Sequence, residues 1–160
     1  MGKITIYVAG SWKNRSRIKN IMEKIESWEH NIAVDWTKHQ EKGGARQYAE
    51  EDIKGLKECD CLVYCNDGIK SRGKNFELGY ITALGKPIVI YLIPSNETND
   101  GIVSGTEEKL SIYSLIDKEC VFIRARLYPI INSIDELRLW LDNLEVRLLL
   151  SKTRQKQIGG

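Results

Sequence analysis

The sequence predicts an α/β fold in which a parallel β-sheet lies between two layers of helices. Short strand-like segments alternate with amphipathic helical segments along the 160 residues. Several of these strand-like segments are apolar at consecutive positions, which is typical of strands covered on both faces in a parallel sheet. Five such strands in a chain of this length favour a doubly wound, flavodoxin-like, three-layer sandwich formed by a single domain.

The five predicted strands are short and separated by segments long enough to hold a crossover helix. They are KITIYVA (3–9), NIAVDW (31–36), CDCLVYC (59–65), PIVIYLI (87–93) and CVFIRA (120–125). The polar, glycine-containing segment 94–106 is predicted to be a loop. We expect the four cysteines to be reduced, because C-x-C-x3-C without a partner cluster lacks the spacing of a zinc site.

Helices are predicted between the strands from apolar positions at helical spacing. The first contains Ile18, Ile21, Met22, Ile25 and Trp28, the second covers about 45–58, and a short one lies near 107–116. The third begins near Asn75 and stops before Gly85 and Pro87, and the last begins at Ser133, where Ser133–Glu136 form an S-x-x-E capping box. We place the domain at 1–150 and treat 151–160, SKTRQKQIGG, as a basic, flexible tail.

Composition argues against several function classes. The formal net charge is +2, whereas a protein that binds duplex nucleic acid normally has a strong basic excess on one face. The segment MGKITIYVAG lacks the apolar length of a signal peptide, and no apolar run approaches the roughly 18 residues of a membrane span. We therefore expect a cytoplasmic protein with no membrane or nucleic-acid partner, no metal and no cofactor. His30 and His39 are isolated, and we expect surface or core roles for both.

Ligands of doubly wound sheets bind beyond the carboxyl ends of the strands, where the strand order reverses. This rule selects three segments: GSWKNR (10–15), DWTKHQ (35–40) and NDGIKSRGKNFE (66–77). Backbone N–H groups and a hydroxyl at the helix start in the first segment favour an anion site. Ser11 or Asn14 would equally suit a simple helix cap.

Two acidic residues stand out in this frame. In YAEEDIKGLKEC, Asp52 lies on the apolar stripe of the helix, which is costly for a carboxylate unless it is paired or functional. If Asn75 caps the next helix, Glu77 falls in its first turn, where the helix dipole stabilises an anion that acts as a nucleophile. A buried cap and a helix-favouring glutamate remain the simpler interpretations. Two converging carboxylates would instead suit cleavage of a glycosidic bond.

Three segments together, YVAGS, YAEEDIKGLKECDCLVYCND and SRGKNFELGYITALGKPIVIY, resemble the nucleoside 2-deoxyribosyltransferase family, which includes nucleoside monophosphate N-hydrolases. The resemblance covers about residues 4 to 94. It implies a flavodoxin-like fold, a homodimer or higher homo-oligomer, and a glutamate nucleophile that forms a covalent (deoxy)ribosyl intermediate. Glu77 matches the nucleophile, Asp52 matches the aspartate that assists it, and Tyr7 lies where members place an aromatic or hydroxyl group near the nucleophile.

The position six residues before the nucleophile distinguishes branches of that family. The transferases resemble one another in an aspartate that binds the 5'-hydroxyl, whereas Ser71 here matches the S-x-G-x-x-x-E pattern of the monophosphate hydrolases. A hydroxyl with glycine amides can cradle a phosphate that an aspartate would repel. The resemblance thus implies a substrate-binding set of Gly10, Ser11, Asn14, Arg15, Asp67, Ser71 and Gly73.

Three functions are therefore open. The leading one is an N-glycosidase that cleaves the base–sugar bond of a (2'-deoxy)nucleoside 5'-monophosphate. The second is a nucleoside 2-deoxyribosyltransferase, in which an acceptor base replaces water. The third is a non-catalytic binder of a nucleotide-derived signal on the same scaffold.

Overall fold

A computed structural model describes residues 3–39, 44–93 and 127–158, with side chains up to residue 151. In these parts of the chain the strands are β1 (Thr5–Ala9), β2 (Asn31–Ile32), β3 (Cys61–Asn66), β4 (Ile88–Leu92) and β5 (Ile130–Ile131). The α-helices are α1 (Arg15–Ser27), α2 (Ala45–Glu58), α3 (Arg72–Ala83) and α4 (Ile134–Ile158). The strands form one parallel sheet in the order β2-β1-β3-β4-β5, which confirms the predicted fold class.

Burial of both sheet faces accounts for the apolar runs in the sequence. All six residues of β3 are buried, because β1 and β4 pair with its two edges and helices cover its faces. Val8, Val63 and Val89 lie side by side across the three central strands. The thiols of Cys61 and Cys65 are buried in β3, and burial raises the pKa of both above the usual range. They are reduced core side chains, as predicted.

The helices pack on the sheet through the stripes that the sequence predicts. In α1 the residues Ile18, Ile21, Met22 and Ile25 are buried. In α4 the residues Leu137, Leu141 and Leu144 are buried. Each such side chain stabilises the fold by roughly 1.5–3 kcal/mol when fully buried. Arg138 of α4 lies over the ring of Trp28, 5.9 Å from its centroid, so α4 packs beside the end of α1.

Two elements differ from the prediction, and two more lie outside the described residues. The second strand ends at Ile32, and residues Trp36–Lys38 form a 3-10 turn in which the Trp36 indole donates to the carbonyl of Val8. The short strand Ile130–Ile131, to which we assigned no element, pairs with β4 as the fifth described strand. The predicted strand 120–125 and helix 107–116 lie outside the described residues.

The last helix starts where the capping box predicts. Ser133 Oγ accepts the backbone N–H of Glu136 at 3.1 Å, while the Glu136 carboxylate accepts the N–H of Asn132, at 3.0 Å, rather than that of Ser133. The helix continues to Ile158, so the backbone of 151–158 is helical beyond the boundary that we placed at 150.

Among the described residues, no helix combines the length and the apolar character that crossing a membrane requires.

Candidate active site

A cavity of about 480 Å³ opens beyond the carboxyl ends of β1 and β3, the position that the switch-point rule predicts. Its volume lies within the range of small-molecule sites. The residues that line it come from all three predicted segments and from α2. They are Gly10, Trp12, Trp36, His39, Tyr48, Asp52, Ser71, Gly73, Lys74 and Glu77.

The structure brings Tyr7, Asp52 and Glu77 together at this cavity. Tyr7 is buried in β1 and its hydroxyl donates to Glu77 Oε1 at 2.9 Å. The same hydroxyl interacts with the carboxylate of Asp52, which reaches the cavity from α2. Asp52 Oδ1 and Glu77 Oε2 are buried, and neither has a hydrogen-bond partner in the described parts of the chain. Each of the two carboxyl groups therefore keeps one buried oxygen that could bind a ligand or a proton in the cavity.

The starting point of α3 corrects our expectation for Glu77. Ser71, not Asn75, is the N-cap, and its Oγ accepts the N–H of Lys74 at 3.4 Å. Glu77 consequently lies in the second turn of α3, where the helix dipole gives little stabilisation to an anion. Its ionisation is controlled instead by its neighbours in the cavity.

Burial dominates the ionisation of the carboxylate pair. Loss of hydration raises the pKa of Glu77 to about 8; the charge of Asp52 adds to this rise, while the Tyr7 hydrogen bond and Lys74 oppose it. Burial likewise raises the pKa of Asp52. At neutral pH Glu77 is therefore mostly protonated, and its titration is coupled to that of Asp52, whose charge contributes to the shift. Such a pair offers one acid and one anion in the same site.

Asp67 forms a buried polar cluster beside the cavity. Its side chain is fully buried and accepts hydrogen bonds from the hydroxyl of Ser11, the amide of Asn14 at 3.1 Å and the ammonium of Lys74 at 3.0 Å. The N–H of Ile69 donates to it as well, at 3.1 Å. Burial alone would raise the pKa of Asp67, but the charge of Lys74 and the Ser11 hydrogen bond lower it. Asp67 is thus an anion whose acceptor positions are occupied by protein groups.

The predicted substrate-binding residues divide into two groups. Gly10, Ser71 and Gly73 line the cavity. Ser11 and Asn14 direct their side chains to Asp67, and the Arg15 guanidinium lies over the Trp12 ring at 4.7 Å and donates to the Trp12 carbonyl at 3.3 Å.

Glycine at position 10 has a packing reason as well. A Cβ there would lie 2.5 Å from Cγ1 of Ile18, so a side chain would push α1 away from the end of β1. This close approach brings the start of α1 next to the cavity.

Sequence reasoning missed the aromatic wall of the cavity. His39, for which we expected a surface or core role, stacks on Tyr48 with ring centroids 4.1 Å apart, and its Nε2 lies 3.2 Å from Glu51 Oε2. The rings of Trp12 and Trp36 lie beside each other, tilted by 39°, with centroids 6.4 Å apart. The only available signal was position, since Trp12, Trp36 and His39 fall in the segments that follow the first two strands.

Comparisons with known proteins agree with this architecture. A solved structure of a CMP N-glycosidase from Clostridium botulinum superimposes with a TM-score of 0.51 at 16% sequence identity, covering 89% of this chain and 98% of that one. This similarity supports the fold. No curated protein matches the sequence. The family model described as nucleoside 2-deoxyribosyltransferase matches residues 6–112, about two thirds of the chain. The chain therefore belongs to the nucleoside 2-deoxyribosyltransferase family, a family of enzymes that act on nucleosides.

Proposed function

We propose that the protein is an N-glycosidase that cleaves the base–sugar bond of a (2'-deoxy)nucleoside 5'-monophosphate, with Glu77 as the nucleophile. The observation that carries the proposal is the convergence of Glu77, Asp52 and Tyr7 at one cavity. Glycosidases that act through a covalent intermediate need one carboxylate to attack the sugar and one acid to protonate the leaving group. Asp52 and Glu77 would have that composition when they hold one proton between them.

In the first step a Glu77 oxygen forms a bond to C1' of the sugar as the bond from C1' to the base nitrogen breaks. The electron pair of the broken bond leaves with the base. Asp52 then gives the base the proton that the two carboxyl groups hold. Tyr7 donates its hydrogen bond to Glu77 Oε1, leaving Oε2 without a partner as the attacking atom. Burial raises the energy of the Glu77 anion, so this carboxylate is a stronger nucleophile once it is ionised.

In the second step water attacks C1' of the glycosyl ester and displaces Glu77 as a carboxylate. Asp52, now an anion, accepts the proton of that water. The sugar phosphate and the free base are the products, and the pair regains its single proton. Every proton in this sequence is carried by a residue that lines the cavity.

The phosphate would bind at the start of α3. Ser71, Gly73 and Lys74 line the cavity there, and the first turn of an α-helix presents unpaired N–H groups to an anion. The Ser71 hydroxyl carries no charge, and the buried Asp67 carboxylate is paired with the Lys74 ammonium at 3.0 Å. The net field at this point therefore does not repel a phosphate. Trp12 and Trp36 line the cavity, and the face of either indole ring could stack on a base.

A nucleoside 2-deoxyribosyltransferase is the second candidate, and the family match favours it. It uses the same intermediate, which an acceptor base resolves in place of water. The family membership weighs against the non-catalytic binder, because the matched family consists of enzymes.

We also propose a homodimer, which light scattering of the purified protein tests directly.

The test is incubation with a panel of nucleoside 5'-monophosphates and the matching nucleosides, with free base measured by chromatography. We expect base release from at least one monophosphate and a sugar-phosphate adduct on the Glu77 peptide by mass spectrometry of acid-quenched enzyme. Glu77→Gln should lose both signals, whereas Glu50→Gln, an exposed glutamate on α2, should keep both. Brisk base exchange between nucleosides with no release from any monophosphate would establish the transferase instead.

A further inference from the structure

A second cluster of polar side chains lies outside the cavity, around His30. This residue occupies the turn between α1 and β2, and its side chain is 2% exposed. Neither ring nitrogen has a hydrogen-bond partner in the described parts of the chain. A buried polar atom left unpaired costs roughly 1–3 kcal/mol, so an orphaned imidazole indicates that a partner belongs at this position.

Two carboxylates of α4 surround the imidazole. Asp142 and Glu145 are three residues apart and therefore lie on one face of the helix. One ligand atom from each of His30, Asp142 and Glu145 can be chosen so that all three lie within 4.8 Å of one another. Glu145 is itself buried, with 7% of its surface exposed, and no cation pairs with it among the residues that the structure describes, which is unusual for a buried carboxylate.

A simple ion pair does not account for this arrangement. His30 Nε2 lies 3.8 Å from Asp142 Oδ1, beyond hydrogen-bond distance. The described cation next to Asp142 is Arg138, whose Nε lies 3.9 Å from Oδ2, and both of these side chains are more than half exposed. A contact of that kind is worth little and is easily exchanged for another partner.

We propose that His30, Asp142 and Glu145 form a binding site for a divalent transition metal of the zinc class. An imidazole nitrogen with two carboxylate oxygens is a typical donor set for such ions, whereas Mg²⁺ and Ca²⁺ prefer oxygen alone. Bonds of about 2.0–2.2 Å in a tetrahedral site place ligand atoms roughly 3.3–3.5 Å apart. The half-exposed Asp142 has the freedom to close the remaining gap, and water supplies the fourth ligand.

The metal would act on stability rather than on chemistry. Asn31, next to His30, pairs with Thr5 at the start of β1, so the cluster lies at the amino ends of the strands, opposite the cavity. A bound ion would join α4 to the turn that enters β2. Sequence spacing hides this site because His30 is far from Asp142 and Glu145 along the chain.

The test uses protein stripped with a chelator and titrated with ZnCl₂ by calorimetry, together with CoCl₂ followed by visible absorption. We expect one ion per chain, an increase in Tm, and a Co²⁺ spectrum without the intense near-ultraviolet band of thiolate ligation. That last feature separates the site from any binding by cysteines. Asp142→Asn and Glu145→Gln should each weaken binding at least roughly tenfold, since even changes to outer-shell groups have effects of about that size.

The control is Asp135→Asn, an acidic residue in the first turn of the same helix, which should bind the metal as the wild type does. His30→Gln should abolish binding. If that variant fails to fold, the Asp142 and Glu145 variants decide the matter, because Asp142 is half exposed and its replacement leaves the core intact. The absence of stoichiometric binding, or full binding by both carboxylate variants, would overturn the proposal.

Discussion

Glu77→Gln should stabilise the folded protein while it removes the proposed activity. The unfolded chain ionises Glu77 near its ordinary pKa of 4.5, whereas the folded protein holds the proton up to a pKa of about 8. Between these two values the folded state binds more protons than the unfolded state, so the free energy of unfolding falls as pH rises. Below 4.5 both states are protonated, and above 8 the difference is constant.

The magnitude follows from the size of that window. About 3.5 pH units at 1.36 kcal/mol each correspond to roughly 5 kcal/mol when both states are fully ionised, and to roughly 3 kcal/mol at pH 7. Glutamine cannot ionise, and its carbonyl still accepts the hydrogen bond of Tyr7. The variant should therefore match the wild type near pH 4.5 and exceed it increasingly up to pH 8.

Urea unfolding followed by circular dichroism at several pH values measures this difference. Glu50→Gln is the matched control: it is the same chemical change at an exposed position that pairs with Arg46, and it should shift stability by a few tenths of a kcal/mol. Parallel pH profiles for the wild type and Glu77→Gln would refute the reasoning. Activity should follow a different course: kcat/KM should fall as the pH rises above about 8, because the carboxyl pair then loses the proton that the leaving base must take.

Three further substitutions test the rest of the site. Lys74→Met should lower the free energy of unfolding by roughly 3–5 kcal/mol, because it leaves the buried Asp67 carboxylate without its cation. Urea unfolding measures this loss, and the double variant Lys74→Met with Asp67→Asn should recover part of it. Ser71→Asp should lower kcat/KM for a monophosphate at least roughly tenfold relative to the matching nucleoside, because a second anion repels the phosphate; an unchanged ratio would place the phosphate elsewhere. Tyr7→Phe removes the donor to Glu77 Oε1 and should lower kcat by roughly 10²-fold with little change in KM, as determined by steady-state kinetics.

The sequence by itself determined the layered fold. Strands such as CLVYCN are apolar at nearly every position, and only a strand buried on both faces requires that, so a parallel sheet covered by helices follows from the pattern. The switch-point rule then predicts that a ligand binds at the loops after the first three strands. Asp52 stands out in the sequence because a carboxylate on the apolar stripe of a helix is costly, and in the structure it lines the cavity.

Only the tertiary structure decided how the residues of the site act on one another. The local sequence around Lys74 and Asp67 resembles a solvated charged loop, yet the two side chains are buried against each other at 3.0 Å. The raised pKa of Glu77 comes from burial and from Asp52, which lies on a different helix. Desolvation and charge pairing depend on distances across the fold, and residues brought together from different elements leave no trace in local spacing. The sequence therefore identifies Glu77 as a candidate, but the packing around it sets the protonation of its carboxyl group.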